Sequence, residues 1–484
     1  MWLVRDEGRC GIFHCYGNSL PDWASGIIGG KKMDLQGKTV LIVGAGKSGI
    51  AAGELLRKKG IAYRLYDGNK ELSKEELQKN DIWKDCGIIL GELPTEILAD
   101  TGLAVLSPGV PTDLPVISAI REQGIPIWGE IELAYHFAKG RLLAITGTNG
   151  KTTTTSLLGE IMQAYFEDVK VVGNIGIPYT SVAADTTEAT VTVAEISSFQ
   201  LETAVDFHPQ VSAILNITPD HLNRHHTMEC YIETKESITK NQTKDEVCVL
   251  NYEDEVLLEF GKTLPIRVVY FSSKRRLEDG FFYEDGVIYK STGGKAEKII
   301  ETSRLQILGL HNYENVMAAA AMADSFGVPM EVIRKVLEQF RAVEHRIEYV
   351  VEKRGVKFYN DSKGTNPDAA IQGIRAMERP TFLIGGGYDK QSEYDEWIEA
   401  FDGKVKQLVL IGQTREKIAD CAKKHGFTEI AFADSLEEAM DICYQNAVDG
   451  DAILLSPACA SWGMFDNYEQ RGEKFKEYAR NLKE

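Results

Sequence analysis

Residues 142–159, LLAITGTNGKTTTTSLLG, set an apolar run directly before a glycine-bearing turn and a helix-forming stretch. This order constrains the fold strongly, because strand, glycine turn and helix are the units of a parallel sheet covered by helices. The turn departs from G-x-x-x-x-G-K-[ST]: counting back from Gly150, Lys151 and Thr152 puts Ile145 where the first glycine belongs. The phosphate chemistry survives that loss. Gly147 and Gly150 permit unusual backbone angles, exposed N–H groups can cradle a phosphate, Lys151 supplies a point charge, and Thr152 offers a hydroxyl to a phosphate-bound metal. The alternative is a Gly-Thr-Asn-Gly turn with a purely structural role.

The same strand–turn–helix order recurs along the chain. KTVLIVGAGKSGIAAGELLRKKGIAYRLYD, from residue 38, reads as a βαβ unit, followed by short strands at 103–109 and 125–129. A second block runs from LLAITG through ATVTVAEISSFQLE and VSAILNITPDHLNRH to the helix PMEVIRKVLEQF, which ends near 341. A third opens at VEHRIEYV and carries the strands TFLIGGG, VKQLVLIG and DAILLSPA. The expectation is three α/β domains in series, 33–128, 129–341 and 342–484: a Rossmann-like domain, a central P-loop ATPase-type parallel-sheet domain and a second Rossmann-like domain. At 484 residues the chain is too long for one core.

Residues 1–32 fit none of these blocks and read as an extension or a mis-assigned start. Met33 is the expected start, since Gly29-Gly30-Lys31-Lys32 could be translated from a purine run resembling a ribosome-binding site. The segment has acidic residues and glycines where a signal peptide needs an apolar core, and no apolar stretch reaches the length of a membrane helix. A cytoplasmic protein without membrane insertion is expected. The net charge of −18, from 54 basic and 72 acidic residues, argues against a nucleic-acid surface. Eight scattered cysteines, with no C-x-x-C and no Cys/His pairing at zinc spacing, read as buried thiols in a reducing compartment.

Gly44-Ala45-Gly46-Lys47-Ser48-Gly49 matches G-x-G-x-x-G after a strand, with Asp67 ending the next strand. The motif fits a dinucleotide, another nucleotide diphosphate or a structural tight turn. Glu195 and His221 each follow an apolar run in the domain bearing the phosphate loop. A carboxylate there is costly to bury unless paired or coordinated, although a satisfied carboxylate and a loop imidazole are the plainer readings. Lys235, in YIETKESI, reads from its own surroundings as a solvated helix lysine.

GTNGKTTT, EISSFQLE, NITPDHLNRH, GLHNYENVMAAAA, HRIE, NDSKGTNPDA and SPACASWGMFDNYEQRG occur in this order, and with them the chain resembles the Mur ligase family from Met33 to its C-terminus. SSFQLE and SPACAS…NYEQRG point to the branch that adds D-glutamate. The resemblance implies ATP-dependent, Mg²⁺-assisted joining of D-glutamate to UDP-N-acetylmuramoyl-L-alanine through an acyl phosphate, by a monomer whose C-terminal domain closes over the site. It implies that Gly46, Lys47, Ser48, Asp67, Ser107, Pro108 and Gly109 face the UDP-sugar. Gly147, Thr148, Asn149, Gly150, Lys151, Thr152, Thr153, Asn312, Arg346 and Asp361 would contact ATP. Thr152, Glu195, His221 and a carboxylated Lys235 would hold metal, with Lys151, Asn174, His221 and Lys235 catalytic. Lys363, Thr365, Lys390, Ser461 and Tyr468 would surround D-glutamate. Asn223 and Tyr468 stand where many relatives carry Asp and Phe.

Two rivals follow from the same residues. A ligase of the family adding another amino acid would share the ATP site, and an NAD-binding regulatory or oxidoreductase protein would use Gly44–Gly49 and Asp67.

Overall fold

The computed structural model describes residues 37–483 apart from 308, 342, 343 and 390, and the side chain of Asn223 is also outside the description. The expectation about residues 1–32 therefore lies outside the described residues, as does Lys390. The described residues form three sheets. They cluster into two compact units: one runs to Phe282 and adds Tyr289–Glu297 and Met317–Ile333, and the other comprises Tyr283–Ile288, Lys298–Val316 and Arg334 onward.

The first sheet holds β1 (Thr39–Val43), β2 (Tyr63–Asp67), β3 (Gly87–Leu90), β4 (Thr101–Leu106) and β5 (Ile127–Gly129). Their spatial order is β3-β2-β1-β4-β5, and every pair is parallel. This is a doubly wound order whose direction reverses between β1 and β4, where such sheets open a crevice at their carboxyl ends. β3 was not evident in the sequence; its GIIL is too short to show a period.

The second sheet is built on β6 (Arg141–Thr146), β7 (Val169–Gly173), β8 (Val191–Glu195), β9 (Val211–Ile214), β10 (Val247–Asn251) and β11 (Arg267–Ser272). It continues through β12 (Gly280–Glu284), β13 (Val287–Thr292) and β14 (Lys295–Glu301). The order is β14-β13-β12-β11-β10-β9-β6-β8-β7. β6 lies between β8 and β9, parallel to both, with Ile145 opposite Glu195 on one side and Ala213 on the other. Ile145 is fully buried. The position where a glycine was missing is thus a central-strand residue whose side chain packs in the core, and the turn begins two residues later.

The third sheet takes β15 (Glu348–Lys353), β16 (Val356–Asn360), β17 (Thr381–Gly385), β18 (Val405–Leu410), β19 (Ile430–Phe432) and β20 (Ala452–Leu455) in the order β15-β16-β20-β17-β18-β19. Only the β15–β16 pair among those described is antiparallel. Apolar side chains on both faces of these strands form two clusters, one around Trp397 and Leu408 and one around Phe358 and Phe475, as a sheet covered on both faces requires.

Candidate active site

The turn after β6 is shaped by two glycines in left-handed or related conformations, Gly147 at φ 148° and Gly150 at φ 84°. A Cβ on Gly147 would lie 3.1 Å from Leu215 Cβ, so bulk as well as dihedral angle requires glycine there. Gly150 caps the helix Lys151–Gln163 without a side-chain acceptor, and a helix N-terminus of this kind favours an anion. The turn is fixed from below by the segment after β9. Thr148 N–H donates to Asn216 O at 2.9 Å, Asn149 N–H to Asn216 Oδ1 at 2.8 Å, and Asn216 Nδ2 to Asn149 O at 3.1 Å. Thr148 Oγ1 lies 3.1 Å from Tyr231 OH and accepts from Thr218 N–H at 3.0 Å.

Two ammonium groups meet at one carbonyl of this turn. Lys151 Nζ donates to Gly147 O at 2.8 Å and to Thr148 O at 2.9 Å, and Lys235 Nζ donates to the same Gly147 O at 2.8 Å. Lys235 is 1% exposed, which overturns its reading as a solvated surface lysine: the helix Met228–Glu236 turns it inward beneath the loop. Its ammonium lies 4.6 Å from the Tyr231 ring centroid. Burial, and then the Lys151 charge, hold its pKa well below the ordinary lysine value, while Asp220 opposes them. A lysine so placed favours the neutral amine, the form that reacts with carbon dioxide.

Glu195 ends β8 and is also buried. Its Oε1 accepts from Asn174 Nδ2 at 2.8 Å, and its backbone carbonyl accepts from Asn174 N–H at 2.9 Å. Its Oε2 has no hydrogen-bond partner among the described residues. An orphaned carboxylate oxygen beside a phosphate loop is costly unless something fills it. His221, at φ 53°, caps the short helix Leu222–His225 after β9, and its ring lies 4.8 Å from that of Phe199, in the short helix Ser198–Leu201 after β8. The ends of β8 and β9 thereby converge on either side of the loop. The hydroxyl of Thr152, the open oxygen of Glu195 and the oxygens that a carbamate on Lys235 would add are the hard donors that suit Mg²⁺, and the imidazole of His221 would add a borderline nitrogen donor.

The glycine turn after β1 is built for close approach. A Cβ on Gly49 would collide with the carbonyl oxygen of Gly44, and Gly44 itself, at φ 105°, faces Ser107. Ser107 Oγ donates to Gly44 O at 3.3 Å, joining the ends of β1 and β4 at the reversal of strand order. Asp67 accepts from Ala45 N–H and Asn69 N–H, each at 2.9 Å. Each carboxylate oxygen of Asp67 thus accepts one backbone N–H and keeps acceptor capacity on its other side. Gly46, Lys47 and Gly109 are exposed along this edge, with Ser48 and Pro108 half-buried.

In the other unit, Asp361 follows β16 and is fully buried. Its Oδ2 accepts from Ser456 Oγ, at the end of adjacent β20, at 2.7 Å, and its Oδ1 has no partner among the described residues. Burial raises its pKa to about 6 against the opposing charge of Arg346. The Lys363 ammonium lies 5.6 Å from the Tyr468 ring centroid, and Ser461 is buried while Thr365 is half-buried. The Asn312 amide oxygen accepts from Asn315 Nδ2 at 3.1 Å.

Three family models match the chain: Mur ligase MurD-like, N-terminal domain over residues 38–129, Mur ligase middle domain over 145–323, and Mur ligase, glutamate ligase domain over 345–459. UDP-N-acetylmuramoylalanine–D-glutamate ligase of Lachnoclostridium phytofermentans is 57% identical over 453 residues, covering 93% of this chain and 100% of the relative. The chain belongs to the Mur ligase family. The ligase of the same name from Lachnospira eligens is 56% identical over 451 residues, with the same coverage of both chains. UDP-N-acetylmuramate-alanine ligase MurC from Thermotoga maritima shares the fold at a TM-score of 0.58 and 20% identity, over 92% of this chain and 100% of that one. MurF ligase from the same organism, solved in complex with ADP, does so at 0.55 and 17%, over 93% and 100%.

Two arginines that sequence reasoning missed hold these segments of the Mur ligase together. Arg224 donates from Nε to Glu202 Oε1 at 3.1 Å and from Nη2 to Glu202 Oε2 at 2.6 Å and Val110 O at 2.8 Å, tying the Ser107–Gly109 edge to the central sheet. Arg471, fully buried, donates from Nε to Ser362 Oγ at 3.0 Å, from Nη2 to Ser362 O at 2.8 Å, and from both terminal nitrogens to Cys459 O at 3.3 Å. Both lie inside quoted motifs, HLNRH and NYEQRG, and an arginine within an otherwise small or polar motif was the available signal.

Proposed function

We propose that this chain joins D-glutamate to UDP-N-acetylmuramoyl-L-alanine at the expense of ATP, in the assembly of peptidoglycan precursors. The observation that carries the reading is 57% identity to a ligase of that name, over 93% of this chain and the whole of the relative. The site residues are those that the family resemblance implies. The turn from Gly147 to Thr153 holds the ATP phosphates, and Asn312, Arg346 and Asp361 receive the rest of the nucleotide. The β1–β4 edge, with Gly46, Lys47, Ser48, Asp67 and Ser107–Gly109, takes the UDP portion. Lys363, Thr365, Lys390, Ser461 and Tyr468 take D-glutamate. The domains are 33–128, 129–341 and 342–484, and the enzyme acts as a cytoplasmic monomer. Among the described residues no helix is long and apolar enough to cross a membrane.

The first chemical step brings the alanyl carboxylate against the γ-phosphate of ATP. One such charge pair at 4 Å costs about 4 kcal/mol at an effective dielectric of 20, and several would forbid the approach. Lys151 and the helix N-terminus offset this repulsion. Thr152, Glu195, His221 and carboxylated Lys235 would hold Mg²⁺, whose charge neutralises the phosphate oxygens. A carboxylate oxygen attacks the γ-phosphorus, ADP leaves, and the neutral amine of D-glutamate attacks the acyl carbon to release phosphate and form the amide. Asn174, anchored on Glu195, is placed to orient the reacting carboxylate.

ADP release measured with UDP-N-acetylmuramoyl-L-alanine and each of a panel of amino acids tests the assignment. Stimulation by D-glutamate alone is expected; equal stimulation by L-glutamate, L-lysine or L-alanine refutes it.

A further inference from the structure

Cys421 lies on the helix Arg415–Lys424 and His425 is its C-terminal cap residue, one turn on. The helix Asp395–Glu399 packs beside them. Asp395, Cys421 and His425 each bring one ligand atom within 4.8 Å of the others. His425 Nε2 lies 2.8 Å from Asp395 Oδ1, and Nδ1 faces Glu399 Oε1 at 3.7 Å. Two pairs with four-residue spacing therefore face each other across neighbouring helices, because residues four apart share a helix face.

Two other groups of similar composition are already committed. Glu132 accepts backbone N–H groups of Val205, Asp206 and Phe207 in addition to facing His136. Glu344 and Glu473 both pair with the buried ammonium of Lys476. Neither group contains sulfur. The Asp395 group combines a thiol, an imidazole backed by a second carboxylate, and solvent access on its carboxylate side. Sulfur, nitrogen and oxygen ligands lie about 2.0–2.3 Å from a zinc ion, hence about 3.3–3.8 Å from one another. The observed separations reach that geometry with movements of about 1 Å, within the range of side-chain adjustment.

We propose that Asp395, Cys421 and His425 form a binding site for a zinc-class divalent ion, with Glu399 orienting the imidazole and a fourth position left to water. The carboxylate–histidine–metal arrangement leaves Nε2 to the ion, with Nδ1 on the side of the Glu399 carboxylate, 3.7 Å away. Binding breaks the Sγ–H bond of Cys421, forms a sulfur–metal bond and passes one proton to solvent. Burial and the Asp395 charge raise the pKa of the thiol, against the opposing charge of Lys424, so without an ion Cys421 stays protonated. The spacing Cys-x-x-x-His reads as no zinc signature along the chain because the third donor, Asp395, comes from another helix.

Titration of the full-length, untagged, chelator-stripped protein with Co²⁺ tests the site. A thiolate-to-cobalt charge-transfer band, proton release and displacement by Zn²⁺ are expected. Cys421→Ser removes the band, His425→Gln removes it independently, and Glu399→Gln weakens affinity about 10–100-fold. Circular dichroism and a melting curve establish that each variant is folded. Absence of the band in the unaltered chain, or its survival in folded Cys421→Ser, overturns the proposal.

Discussion

Lys235 Nζ donates to the carbonyl oxygen of Gly147 at 2.8 Å, across 88 residues of chain, and so sits directly beneath the phosphate-binding turn. Lys151 Nζ reaches the same oxygen at 2.8 Å. Two cations at one carbonyl repel each other, and the buried one gives way. Conversion of Lys235 to a carbamate turns that repulsion into attraction and supplies an anionic oxygen donor. With ¹³C-bicarbonate, an NMR carbamate resonance is expected near neutral pH and is absent in Lys235→Arg.

The same burial sets stability against activity. The pKa of Lys235 is lowered in the folded chain, so the unfolded chain binds more protons, and stability rises with pH between the folded value and the ordinary 10.5. Lys235→Met removes this cost. It should abolish ligation while raising the melting temperature near pH 7, by roughly 2–4 °C for each kcal/mol recovered.

Lys151 acts on the transferred phosphate. Lys151→Ala should lower turnover by about 10²-fold or more, the usual scale for loss of one well-placed electrostatic group. Steady-state ADP release measures this, and a near-normal rate contradicts the role.

Asp361 carries a pH signature. Its pKa is raised by burial from 3.8 to about 6. A raised carboxyl favours the folded state in its protonated form, so its contribution is full below about pH 4 and is lost as pH rises through about 6. A rise of that size corresponds to about 3 kcal/mol. Denaturant unfolding should show the unaltered chain losing about that much relative to Asp361→Asn between pH 4 and pH 7.

Arg471 cross-links Ser362 and Cys459, the residues leading into Lys363 and toward Ser461. Burial lowers its pKa to about 10, so it remains charged at neutral pH. Arg471→Lys keeps the charge but loses the fork that reaches both carbonyls. We expect KM for D-glutamate to rise about tenfold or more, in line with the cost of a misplaced binding group, with KM for ATP unchanged. Equal changes in both constants would indicate general loosening instead.

The sheets and loops were legible because their signals are local. The apolar runs at 38–44 and 142–146 became β1 and β6, and the glycine turns following them took the conformations glycine permits. Burial of Lys235 was illegible from its neighbours, since Glu233, Thr234, Glu236 and Ser237 flank it in sequence and the carbonyl it meets comes from the distant Gly147 turn. Only the resemblance pointed there. The strands β12 to β14 escaped because their polar, outward residues, as in KAEKIIE, break up the apolar pattern. Arg471 escaped because arginine reads as surface unless its acceptors, here Ser362 and Cys459 on other elements, are known.

The central claim is that the γ-phosphate passes to a carboxylate and not to water. Turnover with UDP-N-acetylmuramoyl-L-alanine labelled with ¹⁸O in its alanyl carboxylate tests it directly, by mass spectrometry of the phosphate released in the presence of D-glutamate. The account predicts one ¹⁸O in each phosphate, carried over when the acyl C–O bond breaks. Unlabelled phosphate would contradict it.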